Sequence, residues 1–568
     1  MKDIYARLIE GLPPRSEPER GGGASARATR DFVAHLPLAN PAQAAREVGT
    51  LLETMQATIW PVGERIEALE VLRATVASLC EGIEQQLGAE SHPLPAAKEK
   101  LVETARAFHR ALARNYALAL HEFCAPDGRL PMFKGKAAAV AAVRAITHLG
   151  VVLQWSYRLY RTPPAGAWRR LHALHRFAQQ IGVADKPVAD ALPDGAELDA
   201  QQAYSHALLL ALSNPYRFSA RELREAWLLT RCFAPYCALG PAGGAAIAVD
   251  ENSDDGPGYV PEERALAQDD VFALDLAPLQ RFLEDHASLR PAGIDRLTFR
   301  QRGGQNVEVA ATFLNRLRSS WIGAAERGFV RLGAGHALDV VIGLHGLHFV
   351  LAGNNDFGAF MQRVRGSTIA LSSGENAAAW AANADNSRPQ VWPAQVLDQS
   401  LGGYRLQLQS GNGALRIRVG EVIGLAPPAE EGEAQEWMVG LVRWLRTDEN
   451  SIFAGIELLA RRARAAGAQV SAGADELRAP QRAVMMQGEN GTAALLVAHL
   501  FDQRATAVEI TLPADPSNWA SRPTVREHTV TAMEEISAAY YRVSMTEFAA
   551  AGDEDLEAFV PGIAVPAR

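Results

Sequence analysis

Cysteine is scarce in this chain, with Cys80, Cys124, Cys232 and Cys237 the four present among 568 residues. Spacing this irregular builds neither a disulfide framework nor a zinc knuckle, so the thiols read as buried and reduced. Long apolar runs are also missing. No stretch approaches the roughly 18 apolar residues that a membrane helix requires, and the opening MKDIYARLIEGLPPRSEPER lacks an apolar segment of signal-peptide length. Neither membrane insertion nor secretion is therefore expected, and the expected compartment is the cytoplasm. An excess of positive charge is lacking as well: 56 basic residues face 65 acidic ones, for a net charge of -9. Nothing in that balance calls for a nucleic-acid polymer or an anionic membrane surface as partner. The phosphate loop G-x-x-x-x-G-K-[ST], the dinucleotide fingerprint G-x-G-x-x-G and the nucleophile elbow G-x-S-x-G do not occur. No catalytic residue, metal ligand or cofactor is assigned, and the chain is expected not to be an enzyme.

What is present is enough apolar residue, 48%, to fill several cores, in a length that suggests three or four domains. Residues 1–35 carry Pro, a Gly triplet and many charges and read as a flexible arm. Residues 36–238 read as an all-α helical domain of seven to nine helices. Leu51, Leu52, Met55, Ile59, Ile66, Leu69, Leu72, Val76 and Leu79 recur at helical spacing, and Ser219 followed by Glu222 forms a capping box. Residues 239–322 read as a linker with connecting helices near 275–290 and 307–322. Strand signals dominate from 391 to 460. Tyr404, Leu406 and Leu408 alternate with polar residues, then Leu415, Ile417 and Val419 do the same beyond Ser410-Gly411-Asn412-Gly413, which predicts a hairpin. Arg461, Arg462 and Arg464 are expected to open a short basic helix, followed by an Ala- and Gly-rich spacer. Residues 480–568 are expected to form a C-terminal β-rich domain, with a second small barrel as one reading and strands at 494–500, 507–512 and 539–546.

Two short patterns far apart suit one ligand. Arg327 and Arg331 offer guanidiniums four residues apart, and Asp398-Gln399-Ser400-Leu401-Gly402-Gly403 offers a carboxylate, a hydroxyl and a glycine pair leading into a strand. A guanidinium binds a phosphate, or the O6 and N7 edge of guanine, through two parallel hydrogen bonds, and also stacks flat on a base. Guanine presents N1 and N2 donors that Asp398 can accept, with Ser400 near by. Gly402 and Gly403 permit positive φ or close backbone approach. The combination points to a guanine nucleotide. Taken singly, each pattern has an ordinary alternative: the arginines as surface charges, the Asp-Gln-Ser-Leu-Gly-Gly segment as a plain turn.

Arginine spacing followed by Asp-x-Ser-x-x-Gly resembles the signature of PilZ domains, bacterial receptors for cyclic di-GMP. The resemblance implies a six-stranded antiparallel β-barrel within a multidomain α+β protein. It places Arg327 and Arg331 in the Arg-x-x-x-Arg positions that clasp phosphate and stack on guanine, and Asp398, Ser400 and Gly403 in the motif that contacts a guanine from the barrel surface. Val439 to Arg446 and Gly455-Ile456-Glu457-Leu458 resemble the later strands of such barrels. One departure is clear. Sixty-six residues, 332 to 397, separate the two motifs, where such domains have a single strand and a turn. The barrel is expected over 323–465, with its first strand at Asp339–Val350 and an insertion at 352–390.

Other signals are discounted. His172-x-x-His175 and His345-x-x-His348 lack a carboxylate in the zincin arrangement, and the second pair is expected on a strand. Glu67-Ala68-Leu69 lies on an amphipathic helix, and Gly473-Ala474-Asp475-Glu476-Leu477 in a spacer, so neither fits an enzyme of cyclic di-GMP turnover. The resemblance implies an effector that binds cyclic di-GMP, changes conformation as the Arg connector orders, and signals to an unidentified protein partner through the helical region. Such outputs concern motility, pili, surface attachment and biofilm. The alternative from another class is a ligand-independent interaction protein with a degenerate barrel.

Overall fold

The computed structural model describes residues 2–17, 24–61, 63–88, 91–193, 195–241, 247–259, 271–288, 296–322, 331–365, 388–409, 415–429, 435–448, 450–470, 480–487, 493–498, 505–515 and 518–546. Two compact units emerge: Met1–Gly328 with Arg446–Glu449, and Phe329–Leu445 with Asn450–Arg568.

In the first unit, helices α3 (Pro41–Ala57), α4 (Glu64–Leu87), α5 (Ala96–Cys124), α6 (Gly135–Arg158), α7 (Ala167–Gln180), α8 (Ala200–Leu212) and α9 (Ala220–Phe233) give the seven-helix lower bound of the expectation among the described residues. Their apolar stripes meet in one core that includes Leu52, Leu69, Leu72, Leu112, Ile146 and Phe177. The Ser219–Glu222 capping box forms as expected, with the Glu222 carboxylate accepting from the Ser219 backbone N–H at 2.8 Å. A second box, Asp199 with Gln202, opens α8. Alone among the described helices, α6 is long and apolar enough to cross a membrane, and most of its apolar window is buried in this core. Inside the helices Arg65 is fully buried, donating to the carbonyls of Met55 and Thr58, to Asn115 Oδ1 and to both carboxylate oxygens of Glu122. Every one of its donor directions has an acceptor, which is the condition for burying a charge.

Two expectations for this unit are corrected. The flexible arm contains helices α1 (Lys2–Ile9) and α2 (Ala26–Ala34), and Tyr5, Leu8 and Ala26 are buried in the core. Tyr5 Oη lies 2.7 Å from His121 Nδ1, a partner that no local pattern could disclose. Residues 239–322 contain both connecting helices that were expected, but they are more than a linker. They hold a four-stranded antiparallel sheet in the order β1 (Ala238–Pro241), β4 (Val271–Asp275), β2 (Ile247–Asp250), β3 (Gly258–Tyr259), then helix α10 (Ala277–Ser288), a hairpin of β5 (Arg296–Arg300) and β6 (Asn306–Ala310), and helix α11 (Ala311–Ile322). Val249, Leu274, Phe299, Val309 and Trp321 join the helical core. Runs this short carry no resolvable periodicity, and burial against the helices decides their structure.

In the second unit, strands β8 (Ala337–Ile342), β9 (Trp392–Ser400), β10 (Gly403–Gln409), β13 (Ser451–Ala460), β12 (Met438–Thr447) and β11 (Val422–Ala426) pair in a ring, and β7 (Leu332–Gly333) adds to β9. This closed six-stranded antiparallel barrel agrees with the expectation, although its first long strand is shorter. At Gly343, φ +83° ends β8, and α12 (Gly343–Leu351) begins where a continued strand was expected. Leu344 and Leu347, one turn apart, enter a core shared with Val341, Trp437, Val484 and Leu496. An unbroken apolar run reads equally well as strand or helix, and here the need to fill the space between two barrels selects helix. His345 and His348 therefore ride on α12. His348 is buried against the edges of Phe357 and Phe360, and burial pushes its pKa down to about 3. A second helix, α13 (Phe357–Arg365), follows in the expected insertion.

The hairpin expected between 404–409 and 415–419 does not form. Strand β10 has β9 on one edge and β13 on the other, so no edge is left for 415–419, whose Leu415 and Ile417 are buried elsewhere in the unit. The expected basic helix is strand β14 (Arg462–Val470). It opens a second closed barrel with β15 (Gln481–Gln487), β16 (Ala493–Ala498), β19 (Tyr540–Thr546), β18 (Asn518–Ser537) and β17 (Ala507–Asp515). The C-terminal domain thus starts near 462, not 480. Alanines 466, 468 and 483 fill its centre beside Leu495, Val508 and Val543. Alanine-rich strands carry weak intrinsic strand propensity, so their structure follows from barrel closure.

Candidate functional site

The site is built by strand register. Leu332 pairs with Gln399 and Gly333 with Asp398, and Ala334 N–H donates to the Leu397 carbonyl at 3.1 Å. This short β7 ladder delivers Arg331 to the end of β9, where its Nη1 donates to Asp398 Oδ1 at 2.9 Å. Residues 67 positions apart thus meet, and the long insertion does not prevent it. Arg327 lies outside the described residues.

On the other side of β9, Asp398 pairs with Arg405 of β10, whose Nη1 sits 3.7 Å from Asp398 Oδ2. Each carboxylate oxygen therefore faces one guanidinium. Side-chain exposure is 42% for Arg331, 43% for Arg405 and 20% for Asp398, so the acid is recessed between two cations that reach solvent. An irregularity in register between Arg405 and Leu406 breaks the ladder just past this pair, in the way bulges re-aim side chains at barrel rims.

The turn that follows Asp398 is tight. Ser400 pairs with Gly403, and Ser400 Oγ approaches the Gly403 carbonyl at 3.4 Å. The Gly402 carbonyl accepts from Leu458 N–H at 2.9 Å, and Leu401 stands exposed at the tip. At Gly403, φ is +154°, and a Cβ there would lie 1.9 Å from the Ile456 carbonyl oxygen. Only glycine fits, because a side chain would force β10 and β13 apart.

Of the residues expected from the sequence, Arg331, Asp398, Ser400, Gly402 and Gly403 are brought together at one end of β9, and their neighbours across the sheet were not among those expected. Gly455 pairs with Arg405, and the place its Cβ would take is filled by the indole of Trp444, with Nε1 1.8 Å from that point. Arg405 also stands over the Phe453 ring, 6.0 Å from its centroid. Asp398, Arg405 and Gly455 thus form a row across three strands, with the indole at its end. Arg405 was findable: it alternates with Tyr404 and Leu406 in a strand whose leucines face inward. Trp444 was not, since only register brings it to Gly455. Neither histidine pair belongs to this row, and among the described residues no group of three or more His, Cys, Asp or Glu could hold a metal ion.

A surface strand carrying an acid between two guanidiniums, beside a glycine-only turn on a closed six-stranded barrel, is PilZ architecture. Residues 246–396 and 372–465 match the family model of the middle PilZ domain of the cyclic-di-GMP receptor FimW, and residues 27–242 match the model of that receptor's N-terminal domain. The chain belongs to this family of PilZ-domain cyclic di-GMP receptors. It is 27% identical over 491 residues to the cyclic-di-GMP receptor FimW of Pseudomonas aeruginosa, covering 77% of this chain and 78% of that protein.

Proposed function

We propose that this chain is itself a cyclic di-GMP receptor, with the ligand held on the outer face of the first barrel. Asp398 accepts from N1 and N2 of one guanine, Ser400 and the Gly402-Gly403 turn let the base approach the backbone, and Arg331 with Arg327 clasps phosphate or stacks on guanine. The Arg331–Asp398 contact at 2.9 Å carries this reading, because it brings the two motifs to one face.

That contact also suggests how binding acts. In the present structure Arg331 and Asp398 satisfy each other, and a guanine that takes Asp398 frees Arg331 for phosphate. An exposed ion pair contributes only about 0–1 kcal/mol, so the exchange costs little. Arg405 remains on the second oxygen as counter-charge, and the Trp444 indole and Phe453 ring supply flat apolar surface beside it. Release of Arg331 is the event that couples ligand to a protein partner in the cytoplasm. The outputs in view are motility, pilus function and surface attachment. Ligand binding without turnover is the role assigned.

Calorimetric titration of cyclic di-GMP into the full chain and into Arg327→Ala, Arg331→Ala and Asp398→Ala tests the reading. Losses of about 1.5–3 kcal/mol are expected for a removed charge-assisted contact. Equal affinity in all four proteins would discard the site, and consumption of the nucleotide during the titration would replace a receptor with an enzyme.

A further inference from the structure

A second cluster of guanidiniums lies in the helical unit. Helix α1 and the turn after it supply Arg7 and Glu10 to a small cleft, α5 supplies Arg110 and Arg114, and α7 supplies Arg170. The four arginines and one acid leave the lining with a formal charge of +3. Ala113, Ala117, Leu149 and Leu174 make its apolar floor.

The cluster is poorly compensated from within. Arg110 and Arg114 stand one helical turn apart, where like charges repel. Arg110 has Glu103 at 3.8 Å, and Arg7 donates to Asn252 Oδ1. Among the described residues neither Arg114 nor Arg170 forms an ion pair, and Arg114 Nε is buried without a hydrogen-bond partner. Burial, and then Arg170 and Arg110, lower the pKa of Arg114 below its ordinary value. Cations gathered on an apolar floor raise the free energy of the empty site, and an anion reverses the sign of that contribution.

We propose that this cleft binds the phosphate group of a small phosphate monoester, whose apolar body lies along the alanine and leucine floor. Guanidinium forks suit phosphate oxygens through paired hydrogen bonds. The cleft is small, with about 30 Å³ open to the centres of water molecules, and it opens to solvent, so a compact head group suits it and a dinucleotide does not. This site is separate from the one on the barrel.

Thermal melting of the full chain tests the proposal, with inorganic phosphate and hexyl phosphate as probes at millimolar concentration, where general exclusion effects of phosphate are small. The wild type is expected to show a saturable rise in Tm with both, by linkage, and hexyl phosphate is expected to act at about ten-fold lower concentration because its methylenes leave water. The double variant Arg114→Gln/Arg170→Gln should lose the rise, should melt at or above the wild-type temperature without phosphate because repulsion is relieved, and should bind cyclic di-GMP as the wild type does. An equal phosphate response in the variant overturns the proposal. A variant that melts below the wild type in phosphate-free buffer also overturns it, since the guanidiniums would then be holding the fold. Equal potency of the two probes removes the apolar floor from the site.

Discussion

Replacing Asp398 by Asn keeps the side-chain shape and removes the charge on which the barrel site turns. In the ligand-free protein the loss is small. Arg331 at 2.9 Å and Arg405 at 3.7 Å are both more than a third exposed, and pairs of that kind contribute about 0–1 kcal/mol each. For a unit of this size the two pairs together correspond to about 8 °C or less in Tm. In the complex the loss is larger, because an amide accepts from guanine N1 and N2 less strongly than a carboxylate and turns a donor toward them. Removing a charge-assisted hydrogen bond costs about 1.5–3 kcal/mol. Against this stands the ion pair that the wild type must open and the variant does not have, worth up to about 1 kcal/mol. The net expectation is about 0.5–3 kcal/mol, or about two- to 160-fold weaker binding of cyclic di-GMP. Calorimetry gives the affinity, and a melting curve on the same sample gives the stability. Unchanged affinity would refute the placement of guanine on Asp398, whereas a collapse in Tm together with lost affinity would show that the acid holds the barrel.

Gly403→Ala places a Cβ 1.9 Å from the Ile456 carbonyl, and the forced separation of β10 from β13 is expected to cost about 2–4 kcal/mol; a variant melting with the wild type would refute the steric account. Arg405→Ala should leave the fold intact and weaken cyclic di-GMP five- to thirty-fold, about 1–2 kcal/mol, with no change in affinity removing it from the site. Burial first, then Arg73 for His109 and Arg231 for His206, push these histidines down to about 4 and about 3. Because the folded state resists protonation and the unfolded chain does not, their contribution is fully present above pH 6.5 and is lost as pH falls toward 4, at up to about 1.4 kcal/mol per pH unit for each. His109→Gln should flatten that slope in acid-unfolding curves, and an unaltered slope would exclude His109. Ser219→Ala removes the oxygen that accepts from Glu222 N–H and should destabilise the helical unit by about 1 kcal/mol; denaturant titration with an unchanged midpoint would show that the cap contributes nothing.

Much of this protein follows from its amino-acid order alone. Capping at Ser219, the helical stripes of residues 41–120, the alternation in 403–409 and the acid-hydroxyl-glycine turn are local, written in spacings that chain geometry turns directly into faces. What tertiary structure decided is of another kind. Residues 343–351 could satisfy burial as strand or helix, and the space between two barrels chose helix. Residues 415–419 alternate well enough for a strand, yet both edges of β10 were taken. The alanine-rich segments of the second barrel and the N-terminal helices gain their order from partners far along the chain. At the candidate site the residues of the acidic turn were legible, while the Arg331–Asp398 contact and the row through Arg405 to Trp444 depend on strand register. Register is set by which faces of distant strands become buried together, and no stretch of sequence contains both sides of that choice.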